Sequence, residues 1–164
     1  SQHRAFTTAL LSILAKTHAY QTTSPLPTAL DAATHAVTLL ENCPLFNSGH
    51  GAVFTRDGTN ELEASVMVSR GLKKRGVGVM GLSKVRNPVQ LARQMLLRGE
   101  TDLDSGNGEH RGPMSVDSKQ EAFRKAGGAQ GHSQLFGQGA ERLAAEWGIE
   151  LVEPAYFFTQ NRRL

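Results

Sequence analysis

The chain has a single cysteine, Cys43, so no intrachain disulfide can form. Its six histidines are scattered, and neither they nor Cys43 fall at the close spacing that zinc ligands use. No apolar run approaches the roughly 18 to 20 residues that a membrane helix needs. The first residues also lack the basic-then-apolar order of a secretory signal. These absences argue against a disulfide scaffold, a zinc module and a membrane span, and make a soluble, cytoplasmic protein the expectation. At 164 residues and 39% hydrophobic content, the apolar material suffices for one sizeable core. Residues 1–164 therefore read as a single domain.

Charge is only slightly unbalanced, at +3 with an isoelectric point near 9.3. The densest basic patch is Arg70, Lys73, Lys74 and Arg75. It has no aromatic platform beside it, and Glu41, Asp57, Glu61 and Glu63 lie not far away in sequence. A solvated loop is expected there rather than a nucleic-acid surface.

What the chain does have is concentrated between Leu39 and Gly58, which run from a helix end through a tight glycine turn toward a strand. Gly49 and Gly51, just after Asn47, permit positive φ angles and close backbone approach. Both suit carbonyls or amides converging on an ion or a reacting group, although an ordinary helix-to-strand connection could use them too. Upstream, Phe6, Leu10, Leu11 and Leu14 recur at helical spacing, which predicts an amphipathic helix over residues 3–20. Thr28 can cap a second helix with Ala29, Leu30, Ala33, Val37 and Leu40 on its apolar face and Asp31 at its positive end. Ala52 to Phe54 and Glu61 to Val68 flank Asp57-Gly58 and read as a hairpin. Gly76 to Leu82 is a further strand candidate.

Asn87-Pro88 is a cap and first-turn pair opening a helix with Val89, Ala92, Met95 and Leu96 on one face. Residues 99–131 turn polar and glycine-rich, which reads as a flexible insertion with at most a short helix at Gln120 to Ala126. Ala140, Leu143, Ala144 and Trp147 predict a last helix ended by Gly148, with Trp147 as a core anchor.

The wording of the central stretch is more specific than its glycines. Leu40-Glu41-Asn42-Cys43-Pro44-Leu45-Phe46-Asn47-Ser48-Gly49-His50-Gly51-Ala52-Val53-Phe54-Thr55-Arg56-Asp57-Gly58, followed by Glu61-Leu62-Glu63-Ala64-Ser65-Val66-Met67, resembles the plant-type asparaginase and isoaspartyl peptidase family of N-terminal-nucleophile hydrolases. Arg86-Asn87-Pro88-Val89-Gln90-Leu91-Ala92-Arg93, Gly137-Gln138-Gly139-Ala140-Glu141-Arg142-Leu143-Ala144 and Tyr156-Phe157-Phe158-Thr159 continue the likeness in order. Together these segments cover about residues 5–98 and 132–164. After Met67, Val68-Ser69-Arg70-Gly71 departs from the family's Asp-Gly, so the turn there should differ. The family's opening His-Gly-Gly-Ala-Gly strand has no counterpart here. The expectation is either residues ahead of Ser1 or a sheet without that strand.

The resemblance implies an α+β fold, the four-layer αββα sandwich, with this chain supplying about half. It implies an amidohydrolase that cleaves asparagine to aspartate and ammonia, or β-aspartyl dipeptides, with a threonine nucleophile whose own α-amine is the base. That amine must be uncovered by cleavage at a Gly-Thr junction, and the closing Gln160-Asn161-Arg162-Arg163-Leu164 lacks one. The chain is therefore expected to be an α subunit, partnered by a β subunit in an (αβ)2 assembly. Asn47 carries over as the asparagine that reaches the active site. The main-chain carbonyls of Leu40, Glu41, Cys43, Phe46, Ser48 and His50 carry over as a shell for a sodium ion, with a water as the alternative occupant. No organic cofactor is implied. Thr55, Thr59 and Thr159 have no free amine and read as strand formers or caps. A glycosylasparaginase-like hydrolase, and a non-catalytic homologue serving as an interaction module, remain the alternatives.

Overall fold

The computed structural model describes residues 2–70, 73–104, 129 and 132–160. In chain order they form α1 (Gln2–Gln21), α2 (Ala29–Glu41), β1 (Leu62–Arg70), β2 (Lys73–Leu82), α3 (Pro88–Asp104), β3 (Gln134–Phe136) and α4 (Gly137–Glu146), then a 3₁₀ turn at Pro154–Phe157. The architecture is α+β, with helices packed on a small mixed sheet. The strand order is β1-β2-β3, with β1 and β2 antiparallel and β2 and β3 parallel. No helix among the described residues is long and apolar enough to cross a membrane.

Alternation along the strands decides which face is covered. Leu62, Val77, Val79 and Leu82 are buried on one side against Leu91, Ala92, Met95 and Leu96 of α3, Ala140 and Ala144 of α4, and Phe157. Ala64, Val66 and Val68 of β1 pack against the same cluster. The other face carries Met67, Met80 and Phe136, which are 65%, 37% and 70% exposed. The described chain is thus a helix layer on one sheet, with the second sheet face open.

Local signals set the helix ends. Thr28 Oγ1 accepts the Asp31 N–H (3.2 Å) and the Asp31 carboxylate accepts the Thr28 N–H (3.1 Å), a reciprocal capping box at the start of α2. Arg93 of α3 donates to the same carboxylate. These contacts, the Thr28 hydroxyl foremost, hold the Asp31 pKa near 2, below its ordinary 3.8. A carboxylate with a lowered folded pKa contributes stability that is present above its unfolded value and is lost as pH falls through the folded one. The difference in urea midpoint between wild type and Asp31→Asn should therefore narrow between pH 5 and pH 2, whereas a constant difference would contradict the assignment. Gly148, at φ 72°, closes α4 as expected. Trp147 packs against the core with the Arg98 guanidinium over its ring.

Several expectations need correction. Ala52 to Phe54 is not a strand, and the hairpin is β1 with β2 rather than a pair around Asp57-Gly58. The reason lies in side chains that satisfy the backbone there: Asn60 Nδ2 donates to the Ala52 and Val53 carbonyls (3.1 and 3.0 Å), and Asn47 accepts the Val53 N–H. Asp57-Gly58 instead makes a small turn, closed by the Thr55 N–H to the Thr59 carbonyl at 2.7 Å.

Arg70, Lys73, Lys74 and Arg75 belong to strand ends, with Arg70 paired to Lys73 and Val68 to Arg75, because the ladder runs on past its apolar pairs. Residues 71 and 72 lie outside the described residues. In α1, Leu11 and Leu14 are 61% and 56% exposed and only Ile13 is buried, so the described residues leave much of the apolar stripe open, although Phe6 meets the Phe46 ring. On α2, Ala29 and Ala33 are exposed, and the buried positions are Ala32, Thr34 and Glu41. Helix α3 continues to Asp104, into the stretch that was expected to open the 99–131 insertion. The rest of the 99–131 insertion, including Gln120 to Ala126, lies outside the described residues except for Ala129, which is buried in the core.

Candidate functional site

Helix α2 delivers the chain into the glycine loop at Glu41. The Asn42 N–H bonds to the Thr38 carbonyl at 3.0 Å and the Cys43 N–H to the Leu40 carbonyl at 3.1 Å, closing the last turn, and the Phe46 N–H bonds to the Cys43 carbonyl at 3.2 Å. The loop then folds back, and the His50 N–H reaches the Glu41 carbonyl at 2.7 Å. Gly51 and Ala52 N–H groups both bond to the Gly49 carbonyl (2.7 and 2.9 Å).

The two glycines are needed for room, not for positive φ. The described glycines with positive φ are Gly58, Gly81, Gly137 and Gly148. A Cβ on Gly49 would collide with the Glu41 carbonyl oxygen and stand 2.9 Å from the Glu41 Cα and Cβ. One on Gly51 would sit 2.5 Å from the Pro44 carbonyl oxygen and 2.6 Å from that of Phe46. All but the Glu41 Cβ are backbone atoms, so the loop is a close crossing of the chain over itself.

Asn47 lies on the exposed side of this crossing. Its Oδ1 accepts the Val53 N–H at 2.8 Å, which fixes the side chain and leaves the amide nitrogen as the outward donor. The neighbours Val53 and Phe54 are also exposed, and Phe54 meets the Phe158 ring at 6.0 Å between centroids. His50 turns inward: its Nδ1–H donates to the Tyr156 carbonyl at 2.6 Å, and the two rings lie 4.5 Å apart. That segment is itself anchored by the Val85 and Leu151 bridge and by the Val152 N–H to the Lys84 carbonyl (2.7 Å). Thr55 and Thr59 share a hydroxyl contact of 2.8 Å within their turn.

The residues assigned to a cation shell fall within the crossing. The Leu40, Glu41 and Cys43 carbonyls each accept a backbone N–H, which leaves each oxygen a second lone pair. The Phe46 carbonyl faces Gly51. The Ser48 hydroxyl is buried without a hydrogen-bond partner among the described residues. No three His, Cys, Asp or Glu side chains cluster as a metal site among the described residues. Any ion held here would have main-chain oxygen ligands, a donor set that suits a hard cation.

One side chain escaped the sequence reading. Glu41, 1% exposed, places Oε1 2.9 Å from the Val89 N–H in the first turn of α3, and Oε2 3.0 Å from Asn87 Nδ2. Asn87 thus stands where a cap was expected, but the oxygen that meets the first turn comes from Glu41. Burial raises the Glu41 pKa from 4.5 to about 7, against the pull of the Val89 and Asn87 hydrogen bonds. A signal existed in the sequence: a carboxylate in the last turn of its own helix faces the negative end of the dipole, and so needs donors from elsewhere. Asn60, also buried, had no comparable cue.

The family described as "Asparaginase" matches residues 2–111. A putative isoaspartyl peptidase/L-asparaginase of Dictyostelium discoideum is 38% identical over 82% of this chain and 30% of that protein. An isoaspartyl peptidase of Escherichia coli (strain K12) is 39% identical over 82% of this chain and 32% of its own length. A plant-type L-asparaginase of Pyrococcus furiosus is 41% identical over 49% and 26% respectively. The chain spans about a third of the length of the curated relatives it matches.

Proposed function

This chain belongs to the asparaginase family, and we propose that it is the α subunit of a self-cleaving amidohydrolase acting on L-asparagine, on β-aspartyl dipeptides, or on both. The observation that carries the reading is the Asn47 loop, where a close backbone crossing and the Val53 N–H present one amide at an exposed margin. The names of the relatives support the substrate class. The open sheet face carrying Met67, Met80 and Phe136 fits a second sheet, as in an αββα sandwich completed by a β subunit in an (αβ)2 assembly.

In this reading the nucleophile is a threonine of the β subunit, its hydroxyl attacking the amide carbon while its own amine takes the proton. This chain's share is positioning. The Asn47 amide nitrogen donates a hydrogen bond beside the nucleophile, and the oxygen held by Val53 prevents the side chain from turning away. A sodium ion within the carbonyls of Leu40, Glu41, Cys43, Phe46, Ser48 and His50 would stiffen the loop. The buried, unpartnered Ser48 hydroxyl and the second lone pairs on the Leu40, Glu41 and Cys43 carbonyls support such an occupant.

The activity is tested with the full-length gene product, by measuring ammonia from L-asparagine and aspartate from β-Asp-Leu. Turnover of at least one is expected, and turnover of neither would count against the proposal. For the ion, a ligand that binds only the folded state stabilises it by about 2.7 kcal/mol at a hundred times its Kd. The melting temperature should thus be higher in sodium chloride than in choline chloride at equal ionic strength. Equal values in the two salts would show that no sodium ion stabilises the loop.

A further inference from the structure

Glu41 is bonded in two directions at once. Its carboxylate meets the Val89 N–H and Asn87 Nδ2 at the start of α3. Its main chain meets the loop: the carbonyl takes the His50 N–H, and its Cα and Cβ occupy the space a Gly49 side chain would need. Gly49 and His50 come two and three residues after Asn47. On the other side, α3 is the rigid reference, because Leu91, Ala92, Met95 and Leu96 are fully buried against the sheet. A displacement of the carboxylate from α3 would therefore move the Gly49 and His50 crossing, and Asn47 with it.

We propose that Glu41 is a positioning residue for Asn47, tying the loop through its side chain to the first turn of α3. The inference rests on the reading of Asn47 as an active-site group. A purely structural role predicts lost stability alone, whereas a positioning role predicts a lower kcat that depends on Asn47.

The test uses the full-length protein with kcat and KM counted per cleaved molecule, and a melting temperature for every variant. In Glu41→Gln, either orientation of the amide sets one donor against a donor, Asn87 Nδ2 or the Val89 N–H. The expected result is a kcat about tenfold lower with KM within about twofold, the signature of a contact that matters in the transition state. Glu41→Gln/Asn87→Asp exchanges donor and acceptor, and should recover kcat to within about threefold of wild type once the Asn42 amide, whose Oδ1 takes Asn87 Nδ2 at 3.2 Å, turns its nitrogen to the new carboxylate. It also serves as the comparison if Glu41→Gln alone folds poorly. In an Asn47→Ala background, Glu41→Gln should lower kcat no further.

If Asn47→Ala lowers kcat while Glu41→Gln changes only the melting temperature, the positioning role is overturned and the active-site reading of Asn47 stands. Multiplicative effects in the double variant have the same consequence. If Asn47→Ala leaves kcat unchanged, the active-site reading itself falls, and the positioning role falls with it.

Discussion

Gly51→Ala is expected to lower the melting temperature of the protein by about 2 to 12 °C and to loosen the Asn47 loop. The new methyl would stand 2.5 and 2.6 Å from the Pro44 and Phe46 carbonyl oxygens, and because both are backbone atoms neither can swing aside as a side-chain tip would. Forcing an extra methyl into such a contact costs about 1 to 3 kcal/mol, and one kcal/mol shifts the melting temperature of a domain this size by about 2 to 4 °C. Gly51 does not have positive φ, so backbone conformation adds nothing to that cost. Gly139 in α4 is the internal comparison. A Cβ there meets nothing within 4 Å, and Gly139→Ala should leave stability unchanged or raise it by about 0.4 to 1 kcal/mol. Thermal unfolding of the two variants side by side separates a crowding effect from a general intolerance of alanine. Equal melting temperatures would contradict the close crossing.

Asn47→Ala should have the opposite profile, a small loss of stability and a large loss of turnover. Its side chain accepts an exposed hydrogen bond from the Val53 N–H, worth about 1 kcal/mol in net terms. In the proposed active site, however, the amide is a positioned donor, and removing such a group commonly slows a reaction by a factor of ten to a thousand or so. Asn47→Asp sharpens the comparison, since it keeps an acceptor for Val53 but discards the amide donor. Both variants should slow self-cleavage or turnover at least tenfold, with Asn47→Asp closer to wild type in melting temperature. Wild-type rates in both would withdraw Asn47 from the mechanism.

The start of α2 and the end of α4 were legible because their causes are local: Thr28 with Asp31, and Gly148, each act within a few residues. Pro88 likewise marks the start of α3, but the oxygen that meets its first turn comes from Glu41, far back in the chain. The Ala52 to Phe54 segment was misread because its backbone partners are the side chains of Asn47 and Asn60, which no alternation pattern reports. The short β3 was missed because three residues give periodicity too little to work on. Within the candidate site, the crowding at Gly49 and Gly51 was foreseeable, but its direction was not, since φ is ordinary there and the close atoms belong to Glu41, Pro44 and Phe46. The Glu41 carboxylate was the hardest to read, with its partner Val89 lying 48 residues on. The exposed stripe of α1 and the open face of the sheet show the limit of apolar patterning: it marks a face that can be covered, without saying what covers it.

In the proposed enzyme the Asn47 loop serves a nucleophile freed on another chain. The most direct measurement is intact-mass analysis of the full-length gene product under denaturing conditions, with sequencing of each fragment's first residue. Two fragments are expected, the second beginning with threonine and the first containing this sequence. A single uncleaved chain, in a preparation whose melting curve shows it to be folded, would contradict the proposal.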